Sequence, residues 1–161
     1  MRQYYQPGKP IYSWFRSLDR VTRGLGFGYR AGTVAHLDLV QEATAPTWSA
    51  LQRESHGEAQ ALLSADLPFL RWQLGTLPLE AVICNGRTVF EEVRRLVAGE
   101  IISDGNLCRV TWYVATASIN GRRLALAGWN LPLARPTGLG IEGEMELGRV
   151  LRVQLARYGV V

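Results

Sequence analysis

Three short segments of the chain carry side chains whose types and spacing could do chemistry. The first cluster consists of His36, Asp38, Gln41, Glu42 and Thr44. Asp38 stands within an apolar run, residues 33–40, where an unpaired carboxylate is costly to bury. Two explanations are open: Asp38 binds the polar edge of a ligand or orients a water, or it pairs with an arginine or caps a turn. His36 is predicted to lie on the same strand face as Asp38, more in keeping with a core histidine than with a metal ligand.

The second segment is Asn85-Gly86-Arg87-Thr88, which joins a predicted strand to a predicted helix. A glycine at such a turn lets the backbone approach a ligand closely, and the helix N-terminus that follows can hold an anion. The spacing and the lysine of a phosphate-binding P-loop are missing. An ordinary strand-to-helix connection without a ligand explains the segment at least equally well.

The third segment, residues 129–138, is a loop rich in proline and glycine that follows the last predicted strand. Leu131 and Leu133 form an apolar wedge of the kind that enters a base stack, with Arg135 beside it to meet a phosphate. The alternative is a rigid loop that covers the edge of a sheet.

The charge of the chain fits a nucleic-acid partner. The 161 residues carry a net charge of +4, and of the 18 basic residues only Lys9 is a lysine. Arginine suits phosphate because its planar guanidinium donates two parallel hydrogen bonds. The arginines are dispersed along the sequence, however, so a solvated surface explains the same composition.

Several classes of protein are excluded by what the sequence does not contain. No stretch approaches the roughly 20 apolar residues of a membrane span, and the N-terminus has no apolar signal-peptide core. Cys84 and Cys108 follow no metal spacing. We therefore expect a soluble cytoplasmic protein with reduced thiols, no membrane contact, no metal and no cofactor.

Hydrophobic periodicity divides the chain into predicted helices and strands. The predicted helices span residues 10–24, 58–77, 88–98 and 142–158, and a short helix is predicted to begin near Thr47. The second of them is expected to be interrupted, with Asp66 capping a new segment and Pro68 in its first turn. The predicted strands span residues 33–40, 81–84, 108–118 and 123–129. Asn120-Gly121 between the last two is a strong signal for a hairpin turn.

This order of elements predicts one three-layer α/β domain over residues 1–161, with a mostly parallel central sheet and a C-terminal helix. In such sheets ligands bind at the carboxyl ends of the strands. We therefore expect Asp38, Asn85 and Asn130 to converge on one cleft.

The order of the segments resembles the uracil-DNA glycosylase superfamily. Residues 5–12 (Tyr-Gln-Pro-Gly-Lys-Pro-Ile-Tyr) resemble the segment whose aromatic ring stacks on the flipped base, which would make Tyr12 or Ile11 the counterpart of that ring. Residues 36–41 resemble the strand that ends in Asn-Leu-Val, with Asp38 in the place of the base-reading Asn. Residues 69–74 and then 81–87 resemble its helix and its apolar strand ending in Gly-Arg. Residues 127–132 fall where the family has its His-Pro-Ser loop, with Asn130 near the place of the His.

The resemblance implies a DNA base-recognising domain, a DNA glycosylase if active, that hydrolyses the N-glycosidic bond of a base flipped out of single-stranded or damaged DNA. Base binding would rest on Tyr12, Asp38 and Asn85. Catalysis would rest on Asp38 and on Asn130, which would stabilise charge on the departing base. DNA contacts would come from Leu131, Leu133, Arg135 and Arg87. An ionised Asp38 only accepts hydrogen bonds, so Asp38→Asn is expected to shift preference from cytosine toward uracil.

Two departures from the family bear on activity. The family's first strand and its water-positioning loop precede the stacking aromatic, so the domain is expected to be N-terminally incomplete. The His of the last loop is also missing, and no general base is identified. The alternatives are a non-catalytic α/β domain that binds nucleic acid or another protein, and an enzyme that acts on a small nucleotide.

Overall fold

Five helices and four strands form in the part of the chain that the computed structural model describes, which is residues 11, 13–40, 48–133 and 137–159. In chain order they are α1 (Ser13–Leu25), α2 (Trp48–Glu54), α3 (His56–Thr76), β1 (Ala81–Cys84), α4 (Arg87–Leu96), β2 (Glu100–Leu107), β3 (Val110–Ile119), β4 (Arg122–Trp129) and α5 (Gly140–Arg157). None of these helices is both long enough and apolar enough to cross a membrane.

The chain divides into two compact units. The helical unit, His36–Pro78, contains α2 and α3, and the sheet unit contains every other described element. In α3 one face is buried, and it comprises Ala59, Leu63, Leu70 and Leu74. The predicted interruption near Pro68 is wrong, because α3 runs through Pro68 as one helix. The regular apolar spacing on both sides of the proline outweighs the hydrogen bond that it cannot donate.

The four strands form one open sheet in the order β1-β4-β3-β2. Strand β1 pairs with β4 in parallel, whereas β4 with β3 and β3 with β2 are antiparallel. The turn at Asn120 and Gly121 joins β3 to β4 as predicted, and both residues have positive φ. The protein is therefore an α/β domain with a mixed sheet and a C-terminal helix.

The prediction of a mostly parallel sheet is not confirmed, since one of the three strand pairings is parallel. Two local errors explain this. Residues 33–40, predicted as a buried strand, are neither strand nor helix. Strand β2 was not predicted, because Asp104, Gly105 and Asn106 are typical of turns, yet it pairs along most of β3. Three strands joined by tight turns can only be antiparallel.

Helices cover both faces of the sheet. On one face, Phe90 of α4 lies against Gly128, where an added Cβ would be 2.8 Å from its ring, and stacks on Tyr113 at 5.3 Å between ring centroids. Side chains that alternate with these on the strands point to the other face. There the core is formed with α1 and α5 by Val21, Leu25, Val114, Ala125, Ala127, Trp129, Leu147, Leu151 and Leu155.

Helices α1 and α5 cross at unusually close range. The Cα atoms of Gly24 and Gly148 face each other, and a Cβ built on Gly148 would lie 2.1 Å from the carbonyl oxygen of Val21. Beside this contact Arg20 of α1 pairs with the buried carboxylate of Glu144 in α5. A buried charge is tolerated only when it is paired, so this ion pair also ties the two helices in register.

Candidate functional site

The carboxyl ends of β1 and β4 lie side by side, because the two strands pair in parallel with Cys84 opposite Gly128. Asn85 follows β1 directly and Asn130 follows β4 directly. The amino end of β3 lies next to the end of β4, since Trp112 is opposite Trp129. The turn between β2 and β3 therefore reaches the same border of the sheet. We call this border, with Asn85, Arg87, Arg109, Asn130 and Leu131, the polar edge.

Asn85 fastens the loop after β4 to the end of β1. Its Oδ1 accepts a hydrogen bond from the indole Nε1 of Trp129 at 3.2 Å and from the backbone N–H of Leu133 at 3.0 Å. Trp129 is fully buried, so its indole N–H has no access to water and needs this acceptor. The Asn85 side chain thus has a structural task that the sequence did not reveal.

Asn130 makes a similar connection to β3. Its side-chain Oδ1 accepts a hydrogen bond from the backbone N–H of Thr111 at 3.1 Å, and its backbone N–H donates to the backbone carbonyl of Thr111 at 2.9 Å. The backbone carbonyl of Asn130 accepts a hydrogen bond from the backbone N–H of Arg87 at 3.4 Å. The last residues of β4 are thereby joined to β3 on one side and to α4 on the other.

The two asparagines share one property that matters for binding. Both carboxamide oxygens are engaged within the protein, whereas neither NH2 group donates to another described residue. Each NH2 group can therefore donate two hydrogen bonds to a ligand, whereas the Asn85 oxygen already accepts two hydrogen bonds and the Asn130 oxygen accepts one. The polar edge is therefore suited to hydrogen-bond acceptors such as carbonyl and phosphate oxygens.

Gly86 allows the sharp turn between β1 and α4. Its φ of 106° is a conformation that residues with a Cβ rarely adopt, and a Cβ there would lie 3.1 Å from Cγ of Pro132. The glycine thus lets the loop after β4 approach the start of α4. The structure supports the interpretation of residues 85–88 as a tightly built strand-to-helix connection.

Arg87 and Arg109 bring positive charge to the polar edge. Both side chains are exposed, and within the described part of the chain neither forms an ion pair or a side-chain hydrogen bond. Arg109 was missed by sequence reasoning because β2 was missed. Cys108 and Arg109 form a two-residue turn between β2 and β3, and recognising that hairpin would have placed Arg109 here.

The two leucines of the predicted apolar wedge lie in different environments. Leu131 is half-buried, which leaves part of its side chain available to a ligand. Leu133 is 6% exposed and packs in the core, so it does not protrude as the wedge required. The burial of Leu133 is in keeping with the alternative prediction, in which the loop covers part of the sheet. Arg135 lies outside the described residues.

The cluster around Asp38 does not have the setting predicted for it. Because residues 33–40 form no strand, Asp38 is not enclosed in an apolar sheet, and its side chain is 56% exposed. Its Oδ1 lies 3.1 Å from Nε2 of His36. Asp38 belongs to the helical unit, so its predicted convergence with Asn85 and Asn130 stays a prediction. Tyr12, Gln41, Glu42 and Thr44 lie outside the described residues.

One titratable group stands out close to the polar edge, at the end of β1. Burial raises the pKa of the Cys84 thiol to about 12, since the charged thiolate would be excluded from water. Cys84 is therefore a neutral core residue and not a nucleophile. Among the described residues no group of three or more His, Cys, Asp or Glu side chains could hold a metal ion.

Comparison of the chain with models of protein families, with curated proteins and with solved structures gave no match.

Proposed function

We propose that this chain is a nucleic-acid-binding domain that contacts DNA through the polar edge. The observation that carries the proposal is the meeting of two amide donors, on Asn85 and Asn130, with two exposed arginines, Arg87 and Arg109, at the carboxyl ends of the paired strands β1 and β4. A surface that donates hydrogen bonds and carries positive charge complements phosphate and base carbonyl oxygens.

Base recognition is the finer part of the proposal. The resemblance to uracil-DNA glycosylases supports it, and so does the fixed orientation of the two carboxamides. An Asn85 or Asn130 N–H would donate to a carbonyl of an unstacked base, and the half-buried Leu131 would occupy the space that the base leaves. DNA that is single-stranded or damaged is the preferred ligand, because exposing its bases costs less free energy.

Excision of the base is the second candidate, and it adds a chemical step in which Asn130 would take part. An Asn130 N–H would stabilise negative charge on the departing base, as preorganised donors do in other enzymes. Activation of water needs a general base, and neither the amides of Asn85 and Asn130 nor the guanidinium groups of Arg87 and Arg109 can act as one. Asp38 is the carboxylate that the resemblance implies for the pocket. Binding without excision is therefore the function that the polar edge supports best.

Binding is tested by fluorescence anisotropy with labelled single strands, with and without uracil, at about 20 and 200 mM salt. Arg87→Ala and Arg109→Ala should each weaken binding to all strands several-fold and lower the salt slope by about 1. Arg123→Ala is the matched control. This exposed arginine at the start of β4 is at the opposite end of the sheet and should leave binding unchanged.

Asn130→Asp tests the donors without removing the structural hydrogen bond. The aspartate still accepts from Thr111, but it donates nothing and adds negative charge. We expect binding to fall by about tenfold, while the free energy of unfolding changes little.

No binding of the unaltered protein at low salt would refute the proposal, and so would a loss of binding in Arg123→Ala equal to that in Arg87→Ala and Arg109→Ala. Alkali-labile sites appearing in uracil-containing strands would establish excision as well.

A further inference from the structure

The two edges of the sheet are built differently. Strand β2, at one edge, carries the exposed charges Glu100 and Asp104 and a register shift between Ile101 and Ser103. Charges and bulges are devices that keep an edge strand from pairing with another chain. The β2 edge is therefore protected against pairing with a strand of another chain.

Strand β1, at the other edge, has none of these devices. Its sequence is Ala-Val-Ile-Cys, without charge, proline or bulge. One side of β1 pairs with β4, and on the other side its backbone groups bond to no described residue. An apolar strand with one row of unpaired N–H and C=O groups is a template for a further strand.

A segment of the same chain has the complementary property. Residues 33–40 (Thr-Val-Ala-His-Leu-Asp-Leu-Val) have the composition of a strand buried on both faces, yet they form no strand. Thr33, the first of these residues, is hydrogen-bonded to Gly28, whereas no described hydrogen bond involves the backbone of Val34, Ala35, Leu37, Leu39 or Val40. Val34, Leu37 and Leu39 are half-buried, so apolar surface is left in contact with water.

We propose that residues 33–40 of a second copy of this chain add to β1 as a fifth strand, so that two copies exchange these segments in a symmetric dimer. Exchange of an identical element is a low-cost route to a two-fold assembly, because each copy both donates and receives. The added strand buries apolar side chains of Val34 and Leu37 that each copy leaves partly exposed.

Charge selects the orientation of the added strand. In an antiparallel arrangement Asp38 would approach Glu80, which precedes β1, and the two carboxylates would repel. In a parallel arrangement with residues 34–37 opposite residues 81–84, Asp38 falls level with Asn85 and near Arg87. The second copy would then supply Asp38 to the polar edge. The strand exchange stands without the proposed function, whereas this consequence for the polar edge rests on it.

The first test is sedimentation velocity of the full chain between about 1 and 200 µM. A concentration-dependent dimer is expected. Leu37→Pro should raise its dissociation constant at least about tenfold, since proline cannot donate to the ladder. The Leu37 N–H donates to no described residue, so circular dichroism should show an unchanged fold. Ile101→Lys, on the exposed β2 edge, is the control and should not alter the dimer.

The second test uses engineered cysteines in a Cys108→Ser background. One chain carries Ala35→Cys and the other Val82→Cys, the two residues that the parallel arrangement places opposite each other. Oxidation of the mixture should give a cross-linked dimer in much higher yield than either chain alone. A protein that is monomeric at all concentrations overturns the proposal. So does a disulfide closed within a single chain carrying both cysteines, because the segment would then complete its own sheet.

Neither test depends on DNA, so their outcome is separate from that of the proposed function. A dimer that binds no DNA would retain the strand exchange and remove the nucleic-acid role. A monomer that binds DNA through Arg87 and Arg109 would retain the nucleic-acid role and remove the strand exchange.

Discussion

At the scale of single residues, the side chains of Asn85 and Asn130 connect the ends of β1, β3 and β4 by hydrogen bonds. Asn85 accepts from the Trp129 indole N–H and from the Leu133 backbone N–H, and Asn130 accepts from the Thr111 backbone N–H. The same side chains retain N–H donors for a ligand. Their structural and binding roles therefore use different atoms of one carboxamide.

Asn85→Ala is expected to lower the free energy of unfolding by about 2 kcal/mol or more. It leaves the buried Trp129 indole N–H and the Leu133 N–H without their acceptor, and an unsatisfied buried donor costs about 1–3 kcal/mol. Urea unfolding measures the change. Asn106→Ala is the control, since its oxygen accepts from the exposed Thr111 hydroxyl and its loss should cost less than about 0.5 kcal/mol. Equal effects of the two substitutions would contradict the structural role of Asn85.

The two cysteines are expected to differ sharply in reactivity. Cys84 is buried and Cys108 is exposed in the turn between β2 and β3. The native protein at pH 8 should therefore react with a thiol reagent at Cys108 alone, and both thiols should react in denaturant. Cys108→Ser should abolish the native reaction. Fast modification of Cys84 in that variant would show that β1 opens readily.

The raised pKa of Cys84 also predicts how stability depends on pH. In the unfolded chain the thiol ionises near its ordinary value of 9.0, whereas in the fold it ionises at about 12. Below pH 9 both states hold the proton and the thiol has no effect. Between these values the unfolded state alone releases it, so stability falls by about 1.4 kcal/mol per pH unit. Cys84→Ala should show a shallower fall in urea unfolding between pH 9 and 11.

At the scale of elements, the crossing of α1 and α5 depends on two glycines that allow backbone to touch backbone. Gly24 and Gly148 are at helical positions where alanine would normally be preferred, since glycine weakens a helix by about 1 kcal/mol. The close contact and the buried pair of Arg20 with Glu144 offset that cost. The crossing supports the face of the sheet on which Trp129 is buried.

Gly148→Ala is expected to destabilise the protein by about 2 kcal/mol or more. The new Cβ would collide with the Val21 carbonyl, and backbone cannot move aside as a flexible side chain does. Gly57→Ala in α3 is the matched control, because nothing lies within 4 Å of its added Cβ, and it should be neutral or stabilising by up to about 1 kcal/mol. Thermal unfolding compares the two. A harmless Gly148→Ala would mean that the helices separate at little cost.

At the scale of the whole molecule, the division into two units is the feature with the largest consequence. The helical unit is a short segment of two helices, and its buried face in α3 is a single stripe of four residues. Segments of this size seldom bury enough apolar surface to be stable alone. The sheet unit has a buried core formed mainly by α1, α5, β3 and β4, with partly buried residues of β1 and β2 packed against it.

We therefore expect α3 to lose its amide protection before the sheet does. In native-state hydrogen exchange, amides in the middle of α3 should exchange at least about tenfold faster than those of β3 and β4, because they open without global unfolding. Mass spectrometry of peptic fragments resolves the two regions. Equal protection throughout would show that the two units unfold as one.

What the sequence determined by itself is the part of the structure that rests on local interactions. The helices were located to within a few residues, because their hydrogen bonds and apolar stripes connect residues three and four apart. The hairpin at Asn120 and Gly121 was also evident, since the turn requires these residue types. The positions of Asn85 and Asn130 after strands followed in the same way.

Tertiary structure alone decided which strands exist and how they pair. An apolar pattern makes a strand only where it pairs with another backbone, and residues 33–40 form no strand whereas the polar β2 pairs with β3. The partners of Asn85, the burial of Leu133 and the position of Arg109 all follow from pairings between residues distant in sequence. Strand pairing depends on such distant contacts, which is why the helices could be predicted from local pattern and the architecture of the sheet could not.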